Sequence, residues 1–247
     1  KDPSNTEVME RIADCNLAME KYDKALEFYM QLLKDCPDDH EARRKLGDAY
    51  AGKEQLDKAI KEYRTVLQKD QYNISAKSKL AEMFVSKGEY RRAASEYEDI
   101  LKIGGVDYNI LKRIAKIHNK NNDLGKAAMI YKRMIEYDEN NFEAYIDLAE
   151  TYVSSEKYEK AAKVYSSMQE KGFDITPRMQ FRLANIYELA GNKDKAIELL
   201  NKILRENPGM SKARIAIADI YTKSNNYEDA ILTYKKLIEE ENDAKQV

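Results

Sequence analysis

Residues able to do chemistry are few in this chain and far apart. Among 247 residues there are two histidines and two cysteines. A metal site needs several such ligands converging at short, regular spacing. His40, beside Glu41, and His118 have no such company, so no metal is expected. Carboxylates abound at helical spacing, but none lies in an apolar stretch that would tune it for acid–base work. Neither a phosphate-cradling glycine loop nor a dinucleotide fingerprint occurs. No enzyme and no cofactor are expected. What stands out instead is a row of cations. Lys112, Lys116 and Lys120 fall at i, i+4 and i+8, with Arg113 alongside. On a helix they share one face and cost the free protein a few tenths of a kcal/mol per like-charged pair. An acidic ligand would offset that cost.

The elements that must position this row are periodic. Leu46-Gly47-x-x-Tyr50 is followed by Ala59 and then Tyr63. Counterparts of Ala59 stand at Ala25, Ala93, Ala127, Ala161, Ala196 and Ala230, in steps of 34, 34, 34, 34, 35 and 34 residues. A fixed period of this size marks a repeat architecture. A second small residue recurs as Ala13, Gly47, Ala81, Ala115, Ala149, Ala184 and Ala218, where two close-crossing helices leave room only for a hydrogen or a methyl. Tyr29, Tyr63, Tyr97, Tyr131, Tyr165 and Tyr234 would fill the gap toward the next repeat, with Leu200 and Lys193 marking the sixth interface as the loosest. Helix starts are expected after Asp38 or Asp39, Asn73, Asp107, Asn141 and Thr176, the last followed by Pro177. Gly88, Asn122, Gly191 and Asn225 suit the left-handed turn inside each hairpin. In the first helix the apolar Val8, Ile12, Cys15 and Ala18 follow helical spacing; in the second, Leu26, Tyr29, Leu32 and Leu33 share one face.

Leu-Gly-x-x-Tyr, an alanine nine residues on, an aromatic at +4 and a proline near the end together resemble the tetratricopeptide repeat. Seven copies cover 6–39, 40–73, 74–107, 108–141, 142–176, 177–210 and 211–244. The resemblance implies an all-α solenoid, a right-handed superhelix of helix-turn-helix repeats forming a single array over 1–247. It also implies that the first helices line a concave surface that holds other proteins. Repeat positions 2, 5, 9 and 12 should then face inward. They give an acidic wall (Glu7, Glu10, Asp14, Glu41 and Asp48, with Arg44), then the basic Lys112 and Lys116 with Asn109 and Asn119, to which Arg113 and Lys120 are adjacent. Beyond these the wall becomes partly apolar, with Ile146, Val153, Phe181 and Ile215 edged by Arg178 and Asn185. This order implies a partner segment with acidic residues beside hydrophobic anchors.

Two variants of the family fit less well. A carboxylate clamp needs Lys and Asn, then Asn, then Lys and Arg on three successive first helices. Here Lys112 and Lys116, Asp147, and Arg178 and Arg182 occupy the nearest window, and Asp147 would repel a carboxylate. Met168-Gln-Glu-Lys-Gly172-Phe-Asp resembles the end of a pentatricopeptide repeat. Reading RNA one base per repeat needs that pattern in tandem, and it occurs once.

Composition agrees. Net charge is −2, which gives no global attraction to nucleic acid or an anionic membrane. No apolar run is long enough to insert in a bilayer. Cys15 and Cys36 fall about 12 Å apart along an antiparallel pair, too far for a disulfide. Free thiols favour a reducing, by default cytoplasmic, compartment, with a periplasmic or membrane-tethered setting left open. Lys1-Asp2-Pro3 lacks an initiator Met and reads as a segment cut from a longer protein. The last repeat still shows Ile231, Tyr234, Leu237 and Ile238, so another helix or a second molecule is expected on that face. The leading expectation is a protein-interaction scaffold within a larger assembly. A self-assembling structural module is the alternative, followed by a regulatory module of an enzyme and RNA binding.

Overall fold

Amphipathic segments of 13 to 18 residues fold as paired helices in a computed structural model that describes residues 3–244. Seven hairpins follow one another: α1 (Pro3–Ala18) with α2 (Tyr22–Asp35), and α3 (His40–Gly52) with α4 (Leu56–Lys69). Next come α5 (Ile74–Ser86) with α6 (Tyr90–Gly104), and α7 (Tyr108–Lys120) with α8 (Leu124–Tyr137). The series ends with α9 (Phe142–Ser154) and α10 (Tyr158–Glu170), α11 (Pro177–Leu189) and α12 (Lys193–Glu206), then α13 (Ser211–Lys223) and α14 (Tyr227–Ala244). The described residues contain no strand, and none of their helices is long and apolar enough to cross a membrane. The chain falls into two compact units, Lys1–Ile130 and Tyr131–Val247.

Local chemistry sets the helix ends. Asp39, Asn73, Asp107, Asn141 and Thr176 each accept a hydrogen bond from the backbone N–H three residues on, satisfying one orphan donor of the first turn. Inside every hairpin one residue closes the turn at positive φ. Gly88, Asn122, Gly191 and Asn225 do so as expected, while Glu20, Glu54 and Glu156 do so against their intrinsic preference. The six residues 171–176 make the longest connection. Phe173 there turns back edge-on against Phe142 and Tyr145, with ring centroids 5.8 and 5.4 Å apart.

Small residues let the helices approach. All seven period-setting alanines are buried, as are Ala13, Gly47, Ala81, Ala115, Ala149, Ala184 and Ala218. A Cβ on Gly47 would lie 2.6 Å from Cε1 of the buried Tyr63. Tyr29, Tyr63, Tyr97, Tyr131 and Tyr165 are buried, and Leu200 fills the equivalent space without a hydroxyl. The packed face of α1 is not the one that carries the evenly spaced apolar residues. Met9 and Ala13 are buried and Leu17 packs with them, while Val8, Ile12, Cys15 and Ala18 are exposed. The counterparts of Val8, Ile12 and Cys15 on α3 and α13 are buried against the preceding second helix, and α1 has none before it among the described residues. Cys15 and Cys36 are free thiols.

Candidate functional site

The first helices of residues 1–130 carry most of the organised charge. Lys45 on α3 reaches Asp14 at 2.9 Å and Glu10 at 3.0 Å on α1. Burial opposes ionisation of Asp14, but hydrogen bonds from Lys45 and Tyr29 outweigh it and hold the carboxyl below its usual range. Arg44 pairs with Glu41 and with Asp48 at 2.7 Å, and its hydrogen bond holds Glu41 low. Glu7 takes Arg11. The acidic wall read from the sequence is thus largely neutralised by its own cations.

The next step along this face differs. Arg113 on α7 donates to Glu82 on α5 at 2.9 Å and to the Tyr97 hydroxyl at 3.0 Å. Those bonds, that of Tyr97 first, keep its guanidinium firmly charged. It therefore ties α7 to α5. Lys112 is half-buried, whereas Lys116 and Lys120 project into solvent. Between α5 and α7 lies a cleft of about 330 Å³, with Val85, Ile117 and Tyr97 as its apolar part. Glu82, Arg113, Lys116 and Lys120 line its polar side. Neither Lys116 nor Lys120 makes an ion pair among the described residues. Next to them His118 is buried, its Nδ1 3.6 Å from Asp123, as expected of a core histidine.

In residues 131–247 the remaining sequence candidates fall on three first helices. Ile146 and Val153 on α9 are half-buried. Phe181 on α11 is half-buried and packs against the cluster that joins α11, α12 and α13. Asn185 is half-buried, Arg178 is exposed, and Ile215 on α13 is exposed. Arg182 grips Glu150 through both oxygens, its Nε at 2.9 Å, which ties α11 to α9. The structure thus assembles Arg113, Lys116 and Lys120 around one cleft, and sets Ile146, Phe181 and Ile215 at matching positions of successive first helices. Sequence reading missed a larger hollow of about 480 Å³ among α8, α9 and α10, where Lys132, Lys160 and Lys163 rim Ile135, Leu148 and Val164. Its lysines lie on second helices, whose outer faces read as merely solvated. No group of three or more His, Cys, Asp or Glu among the described residues is placed to hold a metal.

The tandem hairpins, the small crossing residues and the 34-residue period agree with two sequence profiles of the tetratricopeptide repeat. One matches residues 118–186 and 189–247, the other residues 3–74. The chain belongs to the tetratricopeptide-repeat family. No curated protein sequence matches it significantly. Among solved structures it is similar to a chain of the Naa15/Naa10 complex bound to HypK-THB, at 14% identity and a TM-score of 0.70. That match covers 96% of this chain and 36% of the other, so this chain spans about a third of its length. A tetratricopeptide repeat protein from Parabacteroides merdae gives 16% identity and a TM-score of 0.60, covering 96% and 93% of the two chains. YrrB, described as a tetratricopeptide repeat protein with an unusual peptide-binding site, gives 18% identity and a TM-score of 0.54, covering 75% and 95%. At such identities the likeness is one of fold.

Proposed function

We propose that this chain is a non-catalytic interaction scaffold whose α5–α7 cleft receives an acidic segment of a partner protein. The observation that carries the reading is the state of the α7 cations. Arg113 is committed to Glu82 and Tyr97, while Lys116 and Lys120 stand exposed beside Val85 and Ile117. Two lysines over an apolar floor suit carboxylates next to one aliphatic or aromatic side chain. A helical-repeat family, with neighbours described as peptide-binding or as bound to HypK-THB, supports a protein ligand. In residues 131–247, Ile146, Val153, Phe181 and Ile215, edged by Arg178 and Asn185, offer apolar contacts for further hydrophobic anchors.

The test uses a fluorescently labelled peptide of alternating Glu and Leu, titrated with this chain. Lys116→Glu with Lys120→Glu should weaken binding at least tenfold. Lys24→Glu with Lys34→Glu, at exposed positions on α2, makes the same change in net charge. Equal weakening by both pairs would reduce the effect to overall charge and remove the cleft from the proposal.

A further inference from the structure

The hollow among α8, α9 and α10 is built from a different face of α9 than the partner contacts proposed above. Tyr145, Leu148 and Tyr152 line it at i, i+3 and i+7, so they share one side of the helix, while Ile146 and Val153 lie on another. Ile135 of α8 and Val164 of α10 complete an apolar floor with two tyrosine rings in it. At about 480 Å³ it has room for a large side chain. Lys132, Lys160 and Lys163 stand exposed at its rim, and Glu136 is the one carboxylate that lines it. None of the three lysines makes an ion pair among the described residues.

Lys160 lies over the ring of Tyr152, 6.0 Å from its centroid. A cation held on a ring keeps its N–H donors free for a ligand. The same stack recurs as Lys195 over Tyr187, Lys58 over Tyr50 and Arg92 over Phe84. It is therefore a packing habit of the repeat and no sign of a ligand by itself. What points to a ligand is its place at the edge of an apolar hollow, on a cationic edge that runs on. Lys163 shares a second hollow of about 240 Å³ with Lys195. Lys195, Lys202 and Arg205 line a third, of about 250 Å³, beside α12. Lys202 meets only Glu206, at 4.0 Å, and Glu159 and Glu198 are the carboxylates of these two linings. Six cations thus stand against three carboxylates, on a chain whose net charge is −2. We infer that the α8–α10 hollow is a second docking site, which takes an aromatic side chain of a partner protein flanked by carboxylates. The ring meets Tyr145 and Tyr152 edge-on or offset. The carboxylates meet Lys132, Lys160 and Lys163, with Lys195 next along the edge. This site and the α5–α7 cleft share no residue, and neither needs the other.

The chain contains no tryptophan, so a peptide Glu-Glu-Trp-Glu-Glu supplies the only indole emission in a titration. At physiological ionic strength that emission should shift to the blue and saturate as the chain is added. Lys160→Glu with Lys163→Glu should weaken binding at least tenfold. Ser167→Phe narrows the hollow without altering charge and should weaken it as much. Lys116→Glu with Lys120→Glu makes the same change in net charge at the α5–α7 cleft and should cost no more than twofold. Ser167 is half-buried, so a thermal melt checks that its variant folds, while the exposed lysine pair leaves the core untouched. No blue shift, equal weakening by the two lysine pairs, or full affinity in folded Ser167→Phe would each overturn the inference. Phosphatidylserine vesicles that bind the unaltered chain but not the Lys160 and Lys163 variant, with no peptide shift, would assign the face to a lipid surface instead. A mass that rises with concentration in the unaltered chain but not in that variant, again with no peptide shift, would assign it to a second copy. Either result would overturn the inference as well.

Discussion

The Tyr29 hydroxyl donates to Asp14 across 2.5 Å, fifteen residues back on the partner helix of the same hairpin. Tyr63 with Asp48 and Tyr234 with Asp219 repeat the bond at 2.6 Å. The ring fills the space between helices while its one polar atom reaches a carboxylate on the first-helix face. Burial first, then Asp48, pushes the Tyr63 hydroxyl far above its usual pKa, so the bond persists at any ordinary pH. Tyr63→Phe should cost about 1–2 kcal/mol. Tyr165→Phe should cost less, because Glu150 beside it is held by Arg182. Urea unfolding of both variants checks this. Equal losses would mean that the bond to Asp48 carries no special weight.

Three hairpins keep a glutamate where the turn demands positive φ, at Glu20, Glu54 and Glu156. A side chain there costs about 1–2 kcal/mol, and glycine would return about 0.5–1 of that in unfolded-chain entropy. All three are exposed, so no packing is lost on replacement. Each Glu→Gly change should therefore raise stability by about 0.5–1 kcal/mol, and the triple variant should add them, since distant sites are independent. Thermal melts that fall instead of rising would show an unseen role for the carboxylates.

Gly47 and Gly52 both sit against a tyrosine ring, but the two rings differ in freedom. Tyr63 beside Gly47 is fully buried and held by Asp48. Tyr22 beside Gly52 is half-buried at the start of α2. Gly47→Leu should force the hairpin apart at about 1–3 kcal/mol or more, outweighing the roughly 1 kcal/mol gained in helix propensity. Ala149→Leu, at the same crossing in the fifth repeat, should behave alike. Gly52→Ala should cost less, since Tyr22 can swing outward. Melting temperatures rank the three.

Asp14 sets a pH dependence whose sign follows from its bonds. Its folded pKa lies below the usual value of about 3.9. Its contribution is therefore complete above that value and is lost as pH falls through the lower, folded one. Stability should drop on acidification from about pH 5 to 3, and Asp14→Asn should flatten part of that slope. The site is partly exposed, so the part is small. Denaturant titrations of both chains at three pH values measure it, and parallel slopes would count against the assignment.

Much of the fold was legible because its determinants are local. Asn73, Asp107, Asn141 and Thr176 announce helix starts by the chemistry of their own side chains. Glu20, Glu54 and Glu156 were not legible, because closing the turn overrode their preference. Spacing correctly placed Val8, Ile12 and Cys15 on one face of α1, but periodicity says which residues share a face and not what covers it. Arg113 read as one more groove cation. Its partner Glu82 lies 31 residues away, and only the pairing of successive first helices brings them together. The clue was present in the opposite charges that sixth and ninth positions carry in Lys45 and Asp14, and again in Arg182 and Glu150.

The proposed partner contacts separate by their response to salt. Lys116 and Lys120 are exposed, so their attraction to an acidic segment is screened over a Debye length of about 8 Å at physiological ionic strength. Lys116→Glu with Lys120→Glu should weaken binding of the Glu-Leu peptide and flatten its dependence on salt. Phe181→Ala removes apolar contact, which salt does not screen, so it should weaken binding while leaving the salt slope unchanged. The loss from Phe181 stays modest because the ring already packs in part on the α11–α13 cluster. Affinities at two salt concentrations for the three chains decide the matter. Undiminished affinity in both variants would move the site away from the first helices, and a steeper slope in the lysine variant would reverse the sign required of an acidic ligand.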